Sequence, residues 1–485
     1  MVENNSLPNI VIFVPDEMRG DTISLGGKGN KIIKTPNIDQ LAKEGAAFTK
    51  CFTVNPVCVP SRCCIFTGQY IHSNGHRSLY QLLQPYEENL FKFLKNKGYE
   101  VIWIGRNDLF DKDTISLSVN ESVTYKDLFD KKPRYKMNPF SEDHPLRKSF
   151  YYGERTQEEA NDIDYYTIQK ALEYLDSNLK TPFCLYIAIA FPHPPYTVEK
   201  PYFSMYNRDN IPSPIPPKHD DKPEFMRLMY KRYGLDKLTK EDYKEIIATY
   251  YGMVSKVDIQ FGQIITKLKQ IGEYDNSAIF FFADHGDFMG DYGLTEKWPN
   301  AFQDCLINIP LIIKIPGIKN KNNIYDNLVS SIDIFPTVMD IARIESQYTH
   351  YGKSLIPLLQ NEVSVHREAI FAEGGYNPRE PQCFELSVKS PNTPFLGIYY
   401  DKTNIPKENR STVARSAMIR TKRWKLVIRD KGKEELYDLI DDSNELINLI
   451  DNSEYNKVNI DLKEHLLRWY LRTSDNADWK RKRLT

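Results

Sequence analysis

Short apolar runs that suit strands buried on both faces recur along this 485-residue chain. The clearest lie at residues 10–14, 183–190, 278–283 and 311–315. Strands of this kind are typical of parallel sheets, in which helices cover both faces. Segments with helical periodicity alternate with these runs. The alternation predicts an α/β fold in which helices flank a doubly wound, mostly parallel central sheet.

Three segments carry signals for the start of a helix. The first is predicted to begin at Pro36, because proline suits a first turn, and to end near Gly45. The second is predicted to begin at Thr156, where Glu159 completes a capping box. The third covers residues 333–341 and has its proline in the first turn, where no hydrogen bond is lost.

The alternation of strands and helices ends near residue 370. A polar stretch, two short strand candidates and a helix follow at residues 377–409, 417–419, 425–428 and 460–470. We therefore predict a large α/β domain over residues 1–375. A smaller C-terminal α+β subdomain is predicted over residues 376–485.

Composition and charge exclude several classes of protein. Hydrophobic residues make up 41% of the chain and charged residues 27%, which is ordinary for a globular protein. The formal net charge of -1 gives no reason to expect a nucleic-acid partner or an anionic membrane surface. No apolar run is long enough to span a bilayer, so we expect no membrane partner.

The cysteines and the N-terminal residues indicate the cellular compartment in which the protein is expected. Seven cysteines are an odd number, and their uneven spread does not resemble a disulfide framework. The first residues lack the basic start and apolar stretch of a secretory signal. Both features predict a cytoplasmic, reduced protein. Six of the cysteines are predicted to be small buried apolar residues: Cys51, Cys63, Cys64, Cys184, Cys305 and Cys383.

Acidic and metal-binding side chains follow two of the predicted strands. Asp16 and Glu17 follow the first strand, and Asp284 and His285 follow the strand at 278–283. In an open parallel sheet, ligands gather beyond the carboxyl ends of the strands. Hard oxygen ligands with one imidazole suit Ca²⁺, Mg²⁺ or Mn²⁺. Taken singly, each pair is better explained as residues of a strand-end turn.

A third element is the segment Cys58-Val59-Pro60-Ser61-Arg62. Pro60 suits the first turn of a helix, which leaves Cys58 at the helix N-terminus. There the backbone N–H groups and the helix dipole favour an anion such as a sulfate or phosphate group. Arg62, one turn further on, would face the same site with a permanent positive charge.

The segment from Cys58 to Arg62, with Thr67-Gly68 after it, resembles the sulfatase motif in which the cysteine is oxidised to formylglycine. Sulfatases belong to the alkaline-phosphatase superfamily. Other segments resemble the family in the family's order, at residues 8–11, 16–17, 35–39, 283–287, 290–294, 297, 309–312, 333–337, 423–426 and 435–439. The likeness covers nearly the whole chain, and ordered motifs in the right contexts support one another.

The resemblance implies a two-step covalent mechanism. Formylglycine at position 58, hydrated to a gem-diol, would attack sulfur through one hydroxyl, and the other hydroxyl would then serve to expel sulfate. One divalent metal ion, Ca²⁺ in the first place and Mn²⁺ or Mg²⁺ as alternatives, would orient the sulfuryl oxygens. The family's metal ligands correspond to Asp16, Glu17, Cys58, Asp284 and His285.

The resemblance also implies roles for charged residues around the nucleophile. Arg62 and Lys297 would supply positive charge to the transferred group. His193, in a proline-rich turn, would face the leaving group and act as general acid, because the ordinary pKa of histidine lies near working pH. Without the resemblance, a structural role for His193 would be the better explanation.

This sequence departs from the family's pattern at three places. Glu17 stands where sulfatases usually carry a second aspartate, and its longer side chain would change how it coordinates the metal or would leave it just outside the metal ligands. His285 stands where several well-known sulfatases carry asparagine. Many bacterial members of the family and the phosphonate monoester hydrolases carry histidine there. After the strand candidate at 101–104, Arg106 and Asp108 stand where many sulfatases have lysine and histidine.

The third departure concerns the binding of the transferred anion. Arg106 could hold an anion bidentately through its planar guanidinium, whereas an ionised Asp108 could not donate a hydrogen bond. His76 and Arg77 could supply the missing contacts, and a solvated surface role fits these two residues equally well. The loops at 111–155 and 377–409 are predicted to wall the cleft, since loops carry specificity.

Four hypotheses follow. The first is hydrolysis of an aryl or carbohydrate sulfate ester, with a formylglycine-generating or anaerobic sulfatase-maturing enzyme as partner. The second is a phosphonate monoester or phosphodiester hydrolase with the same nucleophile. A phosphomutase is disfavoured because it needs a serine or threonine nucleophile and usually a second metal. The fourth is a pseudoenzyme that binds anions and never receives formylglycine.

Overall fold

The computed structural model describes residues 6–475, apart from residues 133, 178, 319–323, 346–347, 378, 381–387 and 392–395. Its strands are β1 (Asn9–Asp16), β2 (Ala46–Phe48), β3 (Cys51–Phe52), β4 (Glu100–Gly105), β5 (Glu121–Thr124), β6 (Tyr151–Arg155), β7 (Phe183–Pro192), β8 (Tyr196–Glu199), β9 (Ser277–Phe282), β10 (Asn308–Ile309), β11 (Leu311–Lys314), β12 (Ile324–Tyr325), β13 (Val329–Ser330), β14 (Ile370–Gly374), β15 (Ser416–Arg420), β16 (Trp424–Arg429) and β17 (Glu435–Asp438). Its α-helices are α1 (Pro36–Glu44), α2 (Cys58–Thr67), α3 (Ile71–Asn74), α4 (Leu90–Asn96), α5 (Lys112–Ser118), α6 (Tyr125–Leu128), α7 (Ile163–Asp176), α8 (Glu224–Arg232), α9 (Lys240–Gln270), α10 (Asp304–Ile307), α11 (Ile334–Ile341), α12 (Ile356–Leu359), α13 (Tyr400–Glu408) and α14 (Asn456–Thr473).

Eight strands form the central sheet in the order β12-β2-β11-β9-β1-β7-β4-β5. The strands β9, β1, β7, β4 and β5 run parallel to one another. β11 runs antiparallel to both β9 and β2. The predicted mostly parallel sheet is therefore confirmed, and the four apolar runs all lie in its strands β1, β7, β9 and β11.

Helices cover both faces of this sheet, as two adjacent residues of β9 show. Phe281 packs against Phe261 of α9, with ring centroids 5.1 Å apart. Phe282 packs against Phe66 of α2, with ring centroids 6.3 Å apart. Because successive side chains of a strand point to opposite faces, α9 and α2 lie on opposite sides of the sheet. The strands are continuous apolar runs because helices cover the sheet on both faces.

The predicted helix start at Thr156 is wrong. Thr156 and Glu159 do exchange capping hydrogen bonds, from Thr156 N to Glu159 Oε2 at 2.8 Å and from Glu159 N to Thr156 Oγ1 at 3.2 Å. They close a turn, and α7 begins only at Ile163. Its cap is Asp162, whose carboxylate accepts a hydrogen bond from the backbone N–H of Tyr165 at 2.8 Å. The same local signal serves a turn as well as a helix.

A second, four-stranded antiparallel sheet lies in the C-terminal part of the chain, in the order β14-β15-β16-β17. The helix α14 packs on it through Leu462, Leu466 and Trp469, which are buried. The predicted smaller C-terminal subdomain is thus an antiparallel sheet with a covering helix. β14 joins this sheet from Ile370 onward, and the boundary at residue 375 stays a prediction.

Five of the six cysteines that we predicted to be buried are buried and free, namely Cys51, Cys63, Cys64, Cys184 and Cys305. Cys383 lies outside the described residues. A search of the helices in the described part of the chain finds none with the length and apolar character needed to cross a membrane.

Asp333, just before α11, is a fully buried carboxylate that joins two segments of the large domain. It accepts hydrogen bonds from the backbone N–H groups of Ser330 at 2.9 Å and Lys353 at 2.7 Å. The guanidinium of Arg367 donates to both carboxylate oxygens, and His366 Nε2 lies 3.0 Å away. Burial alone would raise the pKa of Asp333, but these partners outweigh it and hold the pKa well below its ordinary value.

Asp333→Asn is expected to lower the free energy of unfolding at pH 7 by about 3 to 5 kcal/mol, because the substitution leaves the buried Arg367 charge unpaired. A depressed folded-state pKa stabilises the protein above the unfolded pKa of about 3.9. The difference between variant and wild type should therefore shrink as the pH falls below about 4. Chemical denaturation over a pH series measures it. Arg468→Gln, in an exposed pair with Glu464, is the control and should leave stability unchanged. Equal stability of Asp333→Asn and wild type at pH 7 would contradict this account.

Candidate active site

The site lies where β1 and β9 end side by side. These strands are parallel neighbours, so their carboxyl ends meet at one edge of the sheet. Asp16 is the last residue of β1, and Asp284 follows β9 by two residues. Both carboxylates are fully buried. The fold thus brings together the two acidic segments that the sequence separates by more than half of its length.

Glu17 turns the chain sharply after β1. Its backbone has a φ of 63°, a conformation that a non-glycine residue seldom adopts. The backbone N–H of Glu17 donates to Asp284 Oδ1 at 3.1 Å, and the hydroxyl of Tyr250 in α9 donates to the Glu17 carbonyl at 2.6 Å. These contacts hold the turn and leave the Glu17 carboxylate in the site.

Arg62 of α2 joins the two strand ends. Its Nε donates to Asp284 Oδ2 and its Nη2 donates to Asp16 Oδ2, both at 2.8 Å. All three side chains are fully buried. The fixed fork of the guanidinium therefore sets the separation of the two carboxylates.

Cys58 is the first residue of α2, as predicted, and its side chain is buried among the groups at the strand ends. Its Sγ lies 3.2 Å from His285 Nε2 and 3.6 Å from Asp16 Oδ1. Burial raises the pKa of the Cys58 thiol well above its ordinary value, and the charge of Asp16 raises it further. The thiol is therefore protonated at neutral pH, and a free thiolate is disfavoured here.

Two overlapping groups of side chains could hold a cation. Donor atoms of Asp16, Cys58, Asp284 and His285 lie within 4.8 Å of one another, and so do those of Asp16, Glu17 and His193. His285 Nδ1 lies 3.0 Å from the Gly286 carbonyl oxygen, which assigns the hydrogen to Nδ1 and leaves the lone pair of Nε2, on the side of Cys58 Sγ, as the one that could bind a metal.

Two further features of these side chains fit a hard divalent ion. Burial lowers the pKa of His285, so its imidazole is neutral, as a metal ligand must be. Glu17 Oε1 is buried and has no hydrogen-bond partner among the described residues. A cation at this position would satisfy that oxygen, because a buried unpaired carboxylate oxygen is costly.

Lys297 stands on the other side of Glu17. Its Nζ lies 2.5 Å from Glu17 Oε2, 3.0 Å from Glu296 Oε1 and 3.0 Å from His193 Nε2. Burial alone would lower the pKa of Lys297, but Glu17 and Glu296 outweigh it and raise the pKa well above its ordinary value. Lys297 is therefore positively charged in the site before any reaction.

His193 follows the end of β7. Its imidazole contacts the Pro194 carbonyl on one side and the Lys297 ammonium on the other. Its Nδ1 donates to the Pro194 carbonyl oxygen at 2.7 Å, so Nε2 accepts from the Lys297 ammonium. Burial lowers the pKa of His193 well below its ordinary value, and the charges of Lys297 and Arg106 lower it further. The ordinary pKa on which the general-acid expectation was based is therefore absent in this structure, and His193 is neutral at neutral pH.

Arg106 is the partly exposed cation of the site, with 24% of its side chain accessible. Its Nη1 lies 2.9 Å from Asp16 Oδ2, and its Nε lies 2.5 Å from Asp108 Oδ2. Asp108 thus orients Arg106, while the other edge of the guanidinium contacts the central carboxylate. An incoming anion would meet Arg106 on its way into the site.

His76 and Arg77 have their partners elsewhere. His76 Nδ1 lies 2.6 Å from the Gln81 carbonyl oxygen, and Nε2 lies 2.8 Å from Glu87 Oε1. Arg77 Nη2 lies 3.8 Å from Glu373 Oε1. Within the described residues, neither shows a contact with Cys58 or the strand-end side chains, and a substrate-binding role for them stays a prediction.

Three residues of this cluster carried no role in the sequence-based prediction. Glu296 and Lys402 are buried and meet at 2.5 Å, and Asp287 accepts a hydrogen bond from Tyr196 at 2.6 Å. Asp287 lies in the motif at residues 283–287, and Glu296 is adjacent to Lys297. Their closeness in sequence to predicted site residues could therefore have indicated both. Lys402 lies 106 positions from Glu296 in the chain, and no local pattern connects them.

Comparison with known proteins supports the fold and the family resemblance. The pattern that defines the family described as Sulfatase matches residues 8–344, and the one described as N-sulphoglucosamine sulphohydrolase, C-terminal, matches residues 389–471. An arylsulfatase of Clostridium perfringens is 26% identical over 95% of this chain and 93% of its own length. An N-acetylglucosamine-6-O-sulfatase of Bacteroides thetaiotaomicron is 25% identical over 98% of this chain and 88% of its own.

Among solved structures, a phosphonate monoester hydrolase of Agrobacterium radiobacter has the same fold. It superposes with a TM-score of 0.74 at 22% identity and covers 96% of each chain. The match of the Sulfatase pattern, which extends over more than half of the sequence, identifies the family. The chain belongs to the sulfatase family of sulfuric ester hydrolases.

Proposed function

We propose that this protein hydrolyses an aryl or carbohydrate sulfate ester through formylglycine made from Cys58, with one divalent cation, Ca²⁺, in the site. The observation that carries the proposal is the position of Cys58. Its Sγ, at the first residue of α2, lies against His285 and Asp16, and Asp284 is in the same donor group. A nucleophile and a cation would therefore share this site.

A modified residue suits position 58 better than a thiol does. The Cys58 thiol is held protonated by burial and by Asp16, so it is a poor nucleophile as it stands. An aldehyde at the same Cβ takes up water and presents two hydroxyl groups instead. Oxidation of the buried side chain needs a partner, and we propose a formylglycine-generating or anaerobic sulfatase-maturing enzyme.

The cation would be held by Asp16, Glu17, Asp284 and His285, beside residue 58. Bound there, it would supply positive charge to the sulfuryl oxygens and to the attacking hydroxyl. Arg62 keeps Asp16 and Asp284 in place, and Arg106 contacts Asp16 Oδ2, the oxygen that Arg62 also contacts. The site is thus arranged to bind a group with several negatively charged oxygens.

The reaction would follow two steps at residue 58. One hydroxyl of the hydrated aldehyde loses its proton to solvent and forms a bond to sulfur, the bond from sulfur to the ester oxygen breaks, and the alcohol leaves. The second hydroxyl then returns a proton to the pair of His193 and Lys297, the bond from its carbon to the sulfate oxygen breaks, the aldehyde forms again and sulfate leaves. In the first step the departing oxygen needs a proton.

We assign the delivery of that proton to His193 together with Lys297. Neutral His193 accepts from the Lys297 ammonium at 3.0 Å, so a proton donor is adjacent to the imidazole. As the bond breaks, His193 would take a proton from Lys297, which becomes neutral, and pass it to the departing oxygen, whose developing negative charge favours the transfer. His193 remains the proposed general acid, with Lys297 as its neighbouring donor.

Two observations favour a carbohydrate as the alcohol. One full-length relative is named an N-acetylglucosamine-6-O-sulfatase, and the C-terminal pattern takes its description from N-sulphoglucosamine sulphohydrolase. The parts of the loops at 111–155 and 377–409 that the structure describes are proposed to contact the sugar.

The second candidate is hydrolysis of phosphonate monoesters or phosphodiesters with the same nucleophile. Arg106 and Asp108 favour it, because they stand where many sulfatases carry lysine and histidine. The fold similarity to a phosphonate monoester hydrolase accords with this candidate.

A substrate panel separates these candidates. The protein co-expressed with a formylglycine-generating enzyme is expected to turn over an aryl sulfate or a glucosamine sulfate faster than a phosphonate monoester or a phosphate diester. Cys58→Ala should reduce turnover by at least ~10³-fold, because it removes the nucleophile. Cys64→Ala, in the same helix and equally buried, is the matched control and should retain activity. Faster phosphonate turnover would select the second candidate, and silence on every ester with the aldehyde present would contradict both.

Calcium binding is tested by thermal and chemical unfolding of chelator-treated protein. Free Ca²⁺ at about 100 times its Kd should stabilise the wild type by about 2.7 kcal/mol, because the ion binds only the folded state. Asp284→Asn should abolish this response. Asp304→Asn, which removes an acid paired with Arg420 and Lys425, should keep it. A wild type that is indifferent to Ca²⁺, Mn²⁺ and Mg²⁺ would show that the site holds none of these ions.

A further inference from the structure

We propose that Lys402, on α13 in the C-terminal part of the chain, is a positioning residue for the reaction: it fixes Glu296, and Glu296 holds the Lys297 ammonium against Glu17 and His193. The inference rests on the proposed function, since Lys297 is taken there as a cation of the active site. It makes a helix far along the sequence part of the catalytic machinery.

The contacts form a continuous chain of alternating charges. Lys402 Nζ lies 2.5 Å from Glu296 Oε2, and Glu296 Oε1 lies 3.0 Å from Lys297 Nζ. Lys297 Nζ in turn lies 2.5 Å from Glu17 Oε2. The backbone N–H of Lys297 also donates to Glu296 Oε2, at 2.8 Å. Glu296 Oε2 thus contacts both Lys402 and the backbone N–H of Lys297, and Glu296 Oε1 contacts the Lys297 ammonium.

Burial makes each member of this chain depend on the next. Glu17 and Glu296 are at most 1% exposed, Lys297 is 5% exposed and Lys402 is 9% exposed. Without Lys402, two buried carboxylates would compete for the single ammonium of Lys297. The ammonium would move toward Glu296, whose Oε2 would then have only the backbone N–H of Lys297 as a partner, and away from Glu17 and His193.

The backbone at Glu296 adds to this dependence. Glu296 has a φ of 62°, a conformation that needs support from its surroundings when the residue is not glycine. The Tyr196 hydroxyl accepts a hydrogen bond from the Glu296 N–H at 3.0 Å, and Lys402 holds its side chain. Burial alone would raise the pKa of Glu296, but Lys297 and Lys402 outweigh it and lower the pKa to about 2, so the carboxylate stays ionised.

The helix that carries Lys402 is anchored on the large domain. Asp401 pairs with Lys148 at 2.7 Å, and the ring of Tyr399 packs edge-on against Phe150 at 5.3 Å. Ile405 of the same helix is fully buried. Burial raises the pKa of the Tyr399 phenol, and the charges of Glu296, Lys297, Glu17 and Arg106 also act on it. These contacts fix the position of α13, from which Lys402 reaches Glu296.

The test compares Lys402→Met and Lys402→Arg in the protein co-expressed with a formylglycine-generating enzyme, on the ester that the wild type turns over fastest. Lys402→Met should lower kcat about 10- to 100-fold with little change in KM, which is typical for the loss of a group that orients an active-site residue. Lys402→Arg should recover most of the loss, because a guanidinium can still pair with Glu296. If Lys402→Met does not fold, Lys402→Gln takes its place.

A matched control separates positioning from stability. Lys425 is fully buried and pairs with Asp304 at 2.6 Å and Glu445 at 2.7 Å, in contacts that involve no residue of the site. Lys425→Met should lower the melting temperature and leave kcat of the folded protein unchanged. An equal loss of kcat in Lys425→Met and Lys402→Met, or no loss in Lys402→Met, would overturn the inference.

A crystal structure of Lys402→Met gives a readout that does not depend on turnover. The inference predicts that Lys297 Nζ leaves Glu17 Oε2 and pairs with both oxygens of Glu296. An unmoved ammonium would overturn it. If the wild type turns over no ester, the proposed function fails. The position of Lys297 Nζ in the Lys402→Met crystal structure then decides by itself whether Lys402 positions Lys297.

Discussion

The bridge from Arg62 to Asp16 and Asp284 is the interaction on which the site depends. Two carboxylates at the ends of adjacent parallel strands would repel each other in a fully buried place, and one guanidinium holds both at 2.8 Å. The bridge needs α2 to pass over the edge of the sheet, and α2 is also the helix that begins with Cys58. The same contact therefore fixes the strand ends, the helix and the residue that is to be modified.

Charge alternation extends from this bridge through the interior. Arg106 contacts Asp16 from the solvent side, and Lys297 and Lys402 alternate with Glu17 and Glu296 on the inner side. Each buried charge in the series has an opposite partner, as desolvated charges require. Glu17 Oε1, which has no partner among the described residues, and His285 Nε2, which faces Cys58 Sγ, are the places where this arrangement would accept a cation.

Much of the fold could be predicted because its signals are local. Apolar runs predict strands buried on both faces, and β1, β7, β9 and β11 lie where the runs are. The start of α7 could not be predicted reliably, since Thr156 and Glu159 satisfy each other equally well in a turn. The identities of the strand-end acids, Cys58 and Arg62 were visible in the sequence, and the parallel order of β1 and β9 accounts for their meeting.

Other properties of the site arise only from the packed structure. The neutral state of His193 follows from burial and from two nearby cations, and neither can be read from the proline-rich turn around it. Lys402 belongs to a helix that reaches Glu296 across the chain, so no spacing reveals it. His76 and Arg77 lie close to the Cys58 helix in sequence, yet their contacts lead to Gln81, Glu87 and Glu373.

The central claim is that an aldehyde at residue 58 performs the hydrolysis. Preparations that differ in their extent of maturation can be made by varying the supply of the formylglycine-generating enzyme. Mass spectrometry of the peptide that contains residue 58 gives the aldehyde fraction of each preparation. The account predicts that sulfate-ester turnover rises in proportion to this fraction and extrapolates to zero where residue 58 is entirely cysteine. Turnover that does not change with the aldehyde fraction would contradict it.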